Sequence, residues 1–203
     1  MKPGGWFRIL PVMPPDATDT KRRLLNAAYE EFSARGLAGA RVDRIAAAAR
    51  ANKQAIYAHF GNKDDLFDRV IDEHVQQLLD AVPFTPEDLP GYAAATFDYL
   101  NEHPKLIRLT MWRYLERGLR FEGRNERQDE NTLQIAKAQQ ERKITSTAAP
   151  PDLLAIVSAL ATTWSLTAPT LLGLGPDPAR STEQRELIRK TVTQSVTADD
   201  TDD

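Results

Sequence analysis

The chain has 203 residues, of which 41% are hydrophobic and 27% are charged, a composition typical of a globular protein. The absence of cysteine excludes disulfides, thiolate nucleophiles and thiolate metal sites, and it is consistent with a reducing, cytoplasmic location. No uninterrupted apolar run approaches the roughly 20 residues that a membrane span requires, so no membrane partner is expected.

The net charge of −3 is unevenly distributed along the chain. Residues 21–63 hold nine Lys or Arg against three Asp or Glu, whereas residues 64–203 hold 15 against 24. A basic segment followed by an acidic one is expected when the first part binds phosphates and the second part regulates it. Chance fluctuation of charge along the chain is the alternative interpretation.

The chain begins with a predicted flexible arm and a first helix. Residues 1–16 contain four prolines and two glycines without a helical period, which predicts the arm. The first helix is predicted to begin at about Asp19 or Thr20 and to end near Ala34, because Gly36 suits a helix C-terminus. The apolar stripe expected to face the core consists of Leu25, Ala28 and Phe32.

Residues 41–63 predict a helix, a turn of about three residues, a second helix and the start of a third. The first of these helices has an apolar face around Ile45. Asn52 is a suitable N-cap for the second helix, in which Ile56 and Phe60 point inward at i, i+4 spacing. Two short helices joined in this way form a helix-turn-helix, whose second helix can enter the DNA major groove.

The outward side chains of the second helix, Lys53 to Phe60, supply most of the predicted DNA contacts. Lys53 and Gln54 stand at its start, where Lys favours guanine and Gln favours adenine. Tyr57 is expected to reach a phosphate through its hydroxyl, the alternative being that it packs in the core. Lys63 adds positive charge near the N-terminus of the next helix, a position suited to anions. The full set of predicted DNA-binding residues is Arg41, Lys53, Gln54, Ala55, Tyr57, His59 and Lys63.

These residues resemble the TetR family of transcriptional regulators over about residues 20–70. The matching positions are Gly36, Val42, Ile45-Ala46, Ala49, Lys53, the Tyr57-x-His59-Phe60 run, and Asn62-Lys63 before Asp64-Asp65-Leu66. The resemblance implies a dimeric, ligand-responsive DNA-binding protein, most often a repressor.

Three departures from the family pattern have physical consequences. Ala40 stands where threonine is usual, so a hydroxyl cap of the second helix is missing. Arg50 stands where glycine is usual, and a side chain there costs on the order of 1 kcal/mol if φ is positive. Ala55 and Ala58 stand where polar or aromatic side chains are frequent, which leaves fewer groups to read bases.

A long helix is predicted from its N-cap, Asn62, to about Ala81. Some 20 residues of helix span about 30 Å, so this helix is expected to be the one rigid connection between two domains. The proline-rich residues 83–90 predict a hinge after it, and the pattern from Gly91 onward is helical, with Pro104 at the start of one helix.

Three further helices are predicted in the last third of the chain. Residues 126–143 predict a polar helix whose apolar anchors are Leu133, Ile135 and Ala136. The helix that begins at Pro150 is apolar around most of its circumference, so it should be buried on more than one side. Ser181-x-x-Gln184 predicts a capping box for the final helix.

The last two helices are predicted to pair with those of a second copy around a twofold axis, as the resemblance also implies. A central helix in a monomeric bundle is the alternative. The predicted interface residues are Ile156, Leu160, Trp164, Ile188 and Val192. A predicted effector cavity, for which plain hydrophobic core is the alternative, is lined by Phe97, Met111, Trp112, Tyr114 and Trp164.

No catalytic constellation is found along the chain, so an all-helical enzyme is disfavoured. His59, His74 and His103 lack metal-ligand spacing, and neither a metal nor a cofactor is expected. A DNA-binding architectural protein without an effector is the alternative function.

Together these features predict an all-α fold, in which an N-terminal three-helix helix-turn-helix DNA-binding domain precedes a C-terminal helical bundle for regulation and dimerisation. The predicted function is ligand-responsive regulation of transcription, with repression as the role that the resemblance implies. A homodimer is expected to bind a palindromic double-stranded DNA operator and to respond to a small apolar or amphipathic effector. The predicted divisions are a flexible arm (1–16), the helix-turn-helix domain (17–63), a connecting helix (64–82), a ligand-binding and dimerisation domain (83–196) and a disordered acidic tail (197–203).

Overall fold

The computed structural model describes residues 17–118, 126–174 and 177–197, and every regular element within these ranges is helical, which confirms the predicted all-α class. The predicted arm and, except for Thr197, the predicted tail lie outside the described residues. The helices are α1 (Ala17–Gly39), which is interrupted by a kink at Gly36, α2 (Val42–Ala48), α3 (Lys53–Phe60), α4 (Lys63–Ala81), α5 (Leu89–Glu102), α6 (Pro104–Arg117), α7 (Glu126–Gln140), α8 (Pro150–Thr162), continued by a π-helix (Thr163–Leu172), and α9 (Ser181–Val196).

Helices α1 to α4 pack around one hydrophobic core, to which α6 contributes Leu109. Phe32 of α1 meets Phe67 of α4 edge to face, with ring centroids 5.0 Å apart. Ile45 of α2 and Ile56 of α3 are fully buried beside them, as their spacing predicts. The apolar stripes of the four helices therefore fix the position of α3 relative to α1 and α4.

The turn between α2 and α3 places Arg50 at a φ of 52°, in the left-handed region. It closes as a Schellman motif, because Arg50 N donates to Ala47 O at 3.1 Å and Ala51 N donates to Ala46 O at 2.9 Å. The side chain of Asn52 then accepts a hydrogen bond from a backbone amide in the first turn of α3. The positive φ that the family pattern anticipates at position 50 is therefore present, with arginine in the place of glycine.

A second core lies among α5, α7, α8 and α9, and a smaller cluster joins α5 to α6. α5 begins at Leu89 rather than Gly91, because the Asp88 side chain accepts from Gly91 N at 2.8 Å and caps the helix earlier. α7 ends at Gln140 rather than at residue 143, because Arg142 adopts a φ of 57° and closes the helix.

Two sequence predictions for the second core are wrong. Leu133 is exposed, and Ala138 is buried beside Ile135 in its place. No side chain caps the N-terminus of α9, so Ser181 does not form a capping box. A short 3₁₀ turn precedes α9 instead, and the side chain of Asp177 caps that turn.

The helical stretch from Pro150 to Leu172 is 23 residues long and apolar enough to cross a membrane by length and composition. Core helices of soluble proteins share this length and composition. Only 28% of its most apolar 18-residue window is buried within the chain. Leu153 and Val157 face the second core, whereas Ile156 is 46% exposed. The chain itself therefore does not cover the second side of α8.

Candidate nucleic-acid interface

The outer face of α3 is defined by the burial of Ile56 and Phe60 on its inner face. Gln54 and His59 are exposed on the outer side, and Tyr57 is 45% exposed. A tyrosine this exposed is not a core residue, so the packing alternative for Tyr57 does not hold. Ala55 is half-buried and packs against the core, where it offers a methyl group at most.

Lys53, at the first position of α3, is paired with Asp43 of α2 across 3.0 Å. The hydrogen bond to this carboxylate raises the pKa of Lys53. Both side chains are exposed, and exposed ion pairs are weak, so a phosphate or a base edge can replace Asp43 as the partner of Lys53.

Two cations near the predicted interface are directed at backbone carbonyls. Lys63 Nζ donates to Leu37 O at 2.7 Å and to Ala40 O at 3.3 Å, and Arg23 Nη1 donates to Ala49 O at 3.1 Å. Carbonyls at the ends of helices favour such cations. In this geometry Lys63 ties the start of α4 to the end of α1, and its ammonium does not extend toward solvent.

Glu31 of α1 holds the start of α2. Its Oε1 accepts from Arg41 N at 3.0 Å and from Arg44 Nε at 2.7 Å. Although burial raises the pKa of Glu31, the hydrogen bonds from Arg44 and Arg41 outweigh it and lower that pKa. The carboxylate thus anchors Arg41, the N-cap residue of α2, while no side chain caps α2 itself. The side chain of Arg41 is left exposed, where it can face a phosphate.

Arg50 is an exposed cation on this surface that is missing from the predicted set of DNA-binding residues. It stands in the turn immediately before α3, in a strained conformation. The available signal was a basic residue at a position where glycine is the unstrained choice. A positive charge held at a conformational cost is a candidate for function.

The last two turns of α6 touch the end of α1. Gly36 has a φ of 67°, and a Cβ placed on it would lie 2.7 Å from the Trp112 ring. The Glu116 carboxylate accepts from Leu37 N at 2.7 Å and from Ala38 N at 3.2 Å. Glycine is therefore required at position 36 both for its backbone conformation and for the close approach of α6.

α6 also holds α4 and α1 through ion pairs. Arg117 Nη1 donates to Asp68 of α4 at 2.8 Å, and its other terminal nitrogen lies 3.3 Å from Asp64. At the opposite end of α6, Lys105 pairs with Glu30 of α1 across 2.6 Å. The prediction that the long fourth helix is the one rigid connection to the helix-turn-helix is therefore wrong, because α6 makes a second one.

The five residues predicted to line an effector cavity do not surround one space. Phe97 is buried and meets Trp164 edge to face at 6.0 Å, which is a core contact. Met111 packs in the small cluster between α5 and α6, Trp112 packs on Gly36, and Tyr114 is exposed. A different cleft of about 220 Å³ lies between the end of α4, α5 and α7, lined by Leu79, Val82, Pro83, Phe84, Tyr92, Glu130, Asn131 and Gln134.

The predicted interface residues divide into two groups. Ile188 and Val192 are 2% and 0% exposed against the second core, which leaves them no surface for a partner. The prediction that they form the dimer interface is wrong, because the apolar stripe of α9 that contains them packs inside the chain. Ile156 is exposed on α8, whereas Leu160 and Trp164 are partly buried. Among the described residues, no three His, Asp or Glu side chains lie close enough to hold a metal ion.

The geometry is that of a helix-turn-helix DNA-binding protein with a separate helical body. Two family models match: "Bacterial regulatory proteins, tetR family" over residues 24–70 and "Tetracyclin repressor-like, C-terminal domain" over residues 88–194. The chain belongs to the TetR family of transcriptional regulators. It is a DNA-binding regulator of transcription and not an enzyme.

Named relatives agree with this assignment. The chain is 39% identical over 181 residues to the HTH-type transcriptional repressor SCO4008 of Streptomyces coelicolor, covering 86% of this chain and 94% of that protein. It is 30% identical over 116 residues to the HTH-type transcriptional repressor NicS of Pseudomonas putida, about half of each chain. The crystal structure of SCO4942 from Streptomyces coelicolor superposes with a TM-score of 0.75 at 31% identity, covering 87% and 98% of the two chains. Regulators of this family bind DNA and act as dimers.

Proposed function

We propose that this protein is a cytoplasmic repressor, which binds a palindromic operator as a homodimer and is released by a small apolar or amphipathic effector. The observation that carries the proposal is the outer face of α3, where Gln54, Tyr57 and His59 are exposed while the inner face of the helix is buried in the core. Dimer symmetry places two such helices in major grooves about 34–36 Å apart, so the two half-sites are inverted repeats.

The DNA contacts divide into base reading and phosphate binding. Gln54, at the start of α3, is the exposed amide able to make a bidentate contact with adenine. Lys53 exchanges Asp43 for a base edge or phosphate. The exposed phosphate contacts are Arg41, Arg50 and the Tyr57 hydroxyl, which set the register without reading sequence. Lys63 acts indirectly, by fixing α4 to the end of α1.

The exposed side of α8 supplies the dimer contact. Ala155, Ile156 and Ala159 lie on this side, and Leu187 is exposed on the neighbouring helix α9. Small residues beside one branched residue allow two helices to approach closely. A twofold mate packed here buries the part of the apolar α8 stretch that the chain leaves open.

The effector is proposed to bind in the cleft beside the end of α4. Phe84 and Tyr92 form its aromatic wall, with ring centroids 5.1 Å apart, and Asn131 and Gln134 supply amides. An apolar wall with a few polar groups suits a small amphipathic molecule. The cleft adjoins α4, which runs to the helix-turn-helix, so a bound molecule can shift the reading helices through α4 and α6.

The test compares Gln54→Ala, Tyr57→Phe and the control Tyr114→Phe, which alters an exposed tyrosine on α6. Duplexes selected from a random pool by the wild-type protein provide the operator, and anisotropy titrations give the affinities. Gln54→Ala should lose about 1–3 kcal/mol of discrimination at one base pair of each half-site. Tyr57→Phe should weaken selected and random duplexes alike, by about 1.5–3 kcal/mol for each hydrogen bond to a charged group.

Tyr114→Phe should bind DNA as the wild-type protein does. Selected duplexes without inverted symmetry would contradict the palindromic operator. If Gln54→Ala and Tyr57→Phe reduced the discrimination between base pairs equally, the division between base reading and phosphate binding would be contradicted.

A further inference from the structure

Three leucines at the end of the π-helix stand uncovered. Leu171, Leu172 and Leu174 are 77%, 67% and 58% exposed, and together with Gly173 they are named here the leucine segment. Its backbone is held in place, because Gly173 caps the helix at a φ of 65° and Leu174 N donates to Ala168 O at 3.2 Å. So much exposed aliphatic surface in a fixed geometry indicates a contact with another molecule.

A concave surface lies at the opposite end of the same helical stretch. The groove has a volume of about 260 Å³ and runs between α7 and the first turns of α8. Its lining is Asp129, Thr132, Pro151, Leu154, Ala155 and Ser158. Ala155 of the groove and Leu172 of the leucine segment are 17 residues apart, roughly 25 Å along a helix, so the segment cannot reach the groove of its own chain.

Twofold symmetry brings the two features together between chains. In an isologous dimer, a contact of one residue with another is repeated with the roles exchanged. When two α8 stretches cross in opposite directions near their midpoints, the end of one stretch lies beside the beginning of the other. In this arrangement the exposed face of Ala155, Ile156 and Ala159 lies between the crossing point and the groove, where it packs beside the second half of the partner's stretch.

We propose that the leucine segment of each protomer docks into the α7–α8 groove of a second copy of this chain. The occupant is a second copy because the groove begins on the face already proposed to carry the dimer, so the two contacts are continuous. This inference rests on the proposed dimerisation through α8. It adds a pair of symmetric arms that fix the register of the two α8 helices, and thereby the separation of the two α3 helices.

The absence of cysteine from the chain makes a direct test possible. A variant carrying both Leu172→Cys and Ala155→Cys is treated with a short bifunctional maleimide, and the products are separated on a denaturing gel. Because the two positions of one chain lie too far apart to be joined, a covalent dimer reports contact between chains. The matched control carries Leu172→Cys with Leu133→Cys, an exposed position of α7 outside the groove lining.

The expected result is a covalent dimer from the first variant at protein concentrations that leave the control and both single variants uncrosslinked. A second variant, Leu171→Ser with Leu172→Ser, should raise the dimer dissociation constant at least tenfold in sedimentation experiments while its circular dichroism stays that of the wild type. A dimer of wild-type strength in that variant, or no selective cross-link in a protein that sediments as a dimer, overturns the arm contact but leaves the α8 dimer standing. A wild-type protein that sediments as a monomer overturns both.

Discussion

Arg50 and Arg142 are the non-glycine residues with positive φ in the described part of the chain, at 52° and 57°. Each closes a helix, Arg50 after α2 and Arg142 after α7, and each occupies the position that glycine fills at least cost. Their side chains are exposed, so neither serves in packing. They differ in place, because Arg50 stands on the proposed DNA surface and Arg142 in the body.

The pair provides a matched test at the residue scale. Arg50→Gly and Arg142→Gly should each raise the free energy of unfolding by up to about 1 kcal/mol, since left-handed strain is relieved at both sites. In urea titrations both midpoints should rise. Arg50→Gly alone should also weaken DNA binding and flatten the dependence of log K on log salt by about 0.9 for each phosphate that the variant no longer neutralises. An Arg50→Gly protein that binds DNA with unchanged salt dependence would remove Arg50 from the interface.

α6 is the element that makes the helix-turn-helix and the body mechanically continuous. Its Trp112 and Glu116 meet the end of α1, while Arg117 pairs with Asp64 and Asp68 of α4. The packing is close at Gly36, where no side chain fits beneath Trp112. A displacement of α6 must therefore move α1 and α4 together, and with them α3.

Gly36→Ala and Gly118→Ala isolate the α6 contact, because the two glycines share a backbone conformation but not an environment. Gly36 has φ 67° and ψ −178°, and Gly118 has φ 68° and ψ −165°. A Cβ on Gly118 meets nothing within 4 Å, whereas one on Gly36 collides with Trp112 and Glu116. Both variants should lose about 1–3 kcal/mol of stability from backbone strain.

Gly36→Ala should lose a further amount, about 1–3 kcal/mol, because α6 must shift and overpacking is costly. It should also weaken DNA binding, which Gly118→Ala should not. Chemical denaturation and anisotropy titrations measure the two effects. An equal decrease of stability in the two variants would show that the packing of α6 on α1 is loose and does not transmit motion.

At the scale of the whole molecule, local signals predicted the helix-turn-helix closely and the body less well. The caps at Asn52 and Asn62 and the inward pair Ile56 and Phe60 depend on neighbours within one turn, so sequence spacing is sufficient. The packing contacts of Trp112 and Ile188 depend on which helix faces them, and an apolar stripe in the sequence does not specify that helix. The same limit applies to Lys63, whose carbonyl partners belong to residues more than 20 positions earlier.

The arrangement of the whole dimer is tested by placing a charge on each side of the α8–α9 layer. Ile156→Glu puts a carboxylate on the 46% exposed face of α8, where it remains hydrated in the monomer but would be buried in the dimer. This variant should stay folded and sediment as a monomer. Ile188→Glu puts the same charge into the second core, where burial of an unpaired charge should unfold the body. Leu133→Glu, at an exposed position of α7, is the control and should remain a folded dimer.

Since two linked reading helices bind one operator, Ile156→Glu should also lose most of its affinity for the selected duplex, while each α3 keeps its weak half-site binding. Sedimentation, circular dichroism and anisotropy on the three variants measure these outcomes, and a dimeric Ile156→Glu protein would place the twofold contact elsewhere on the body.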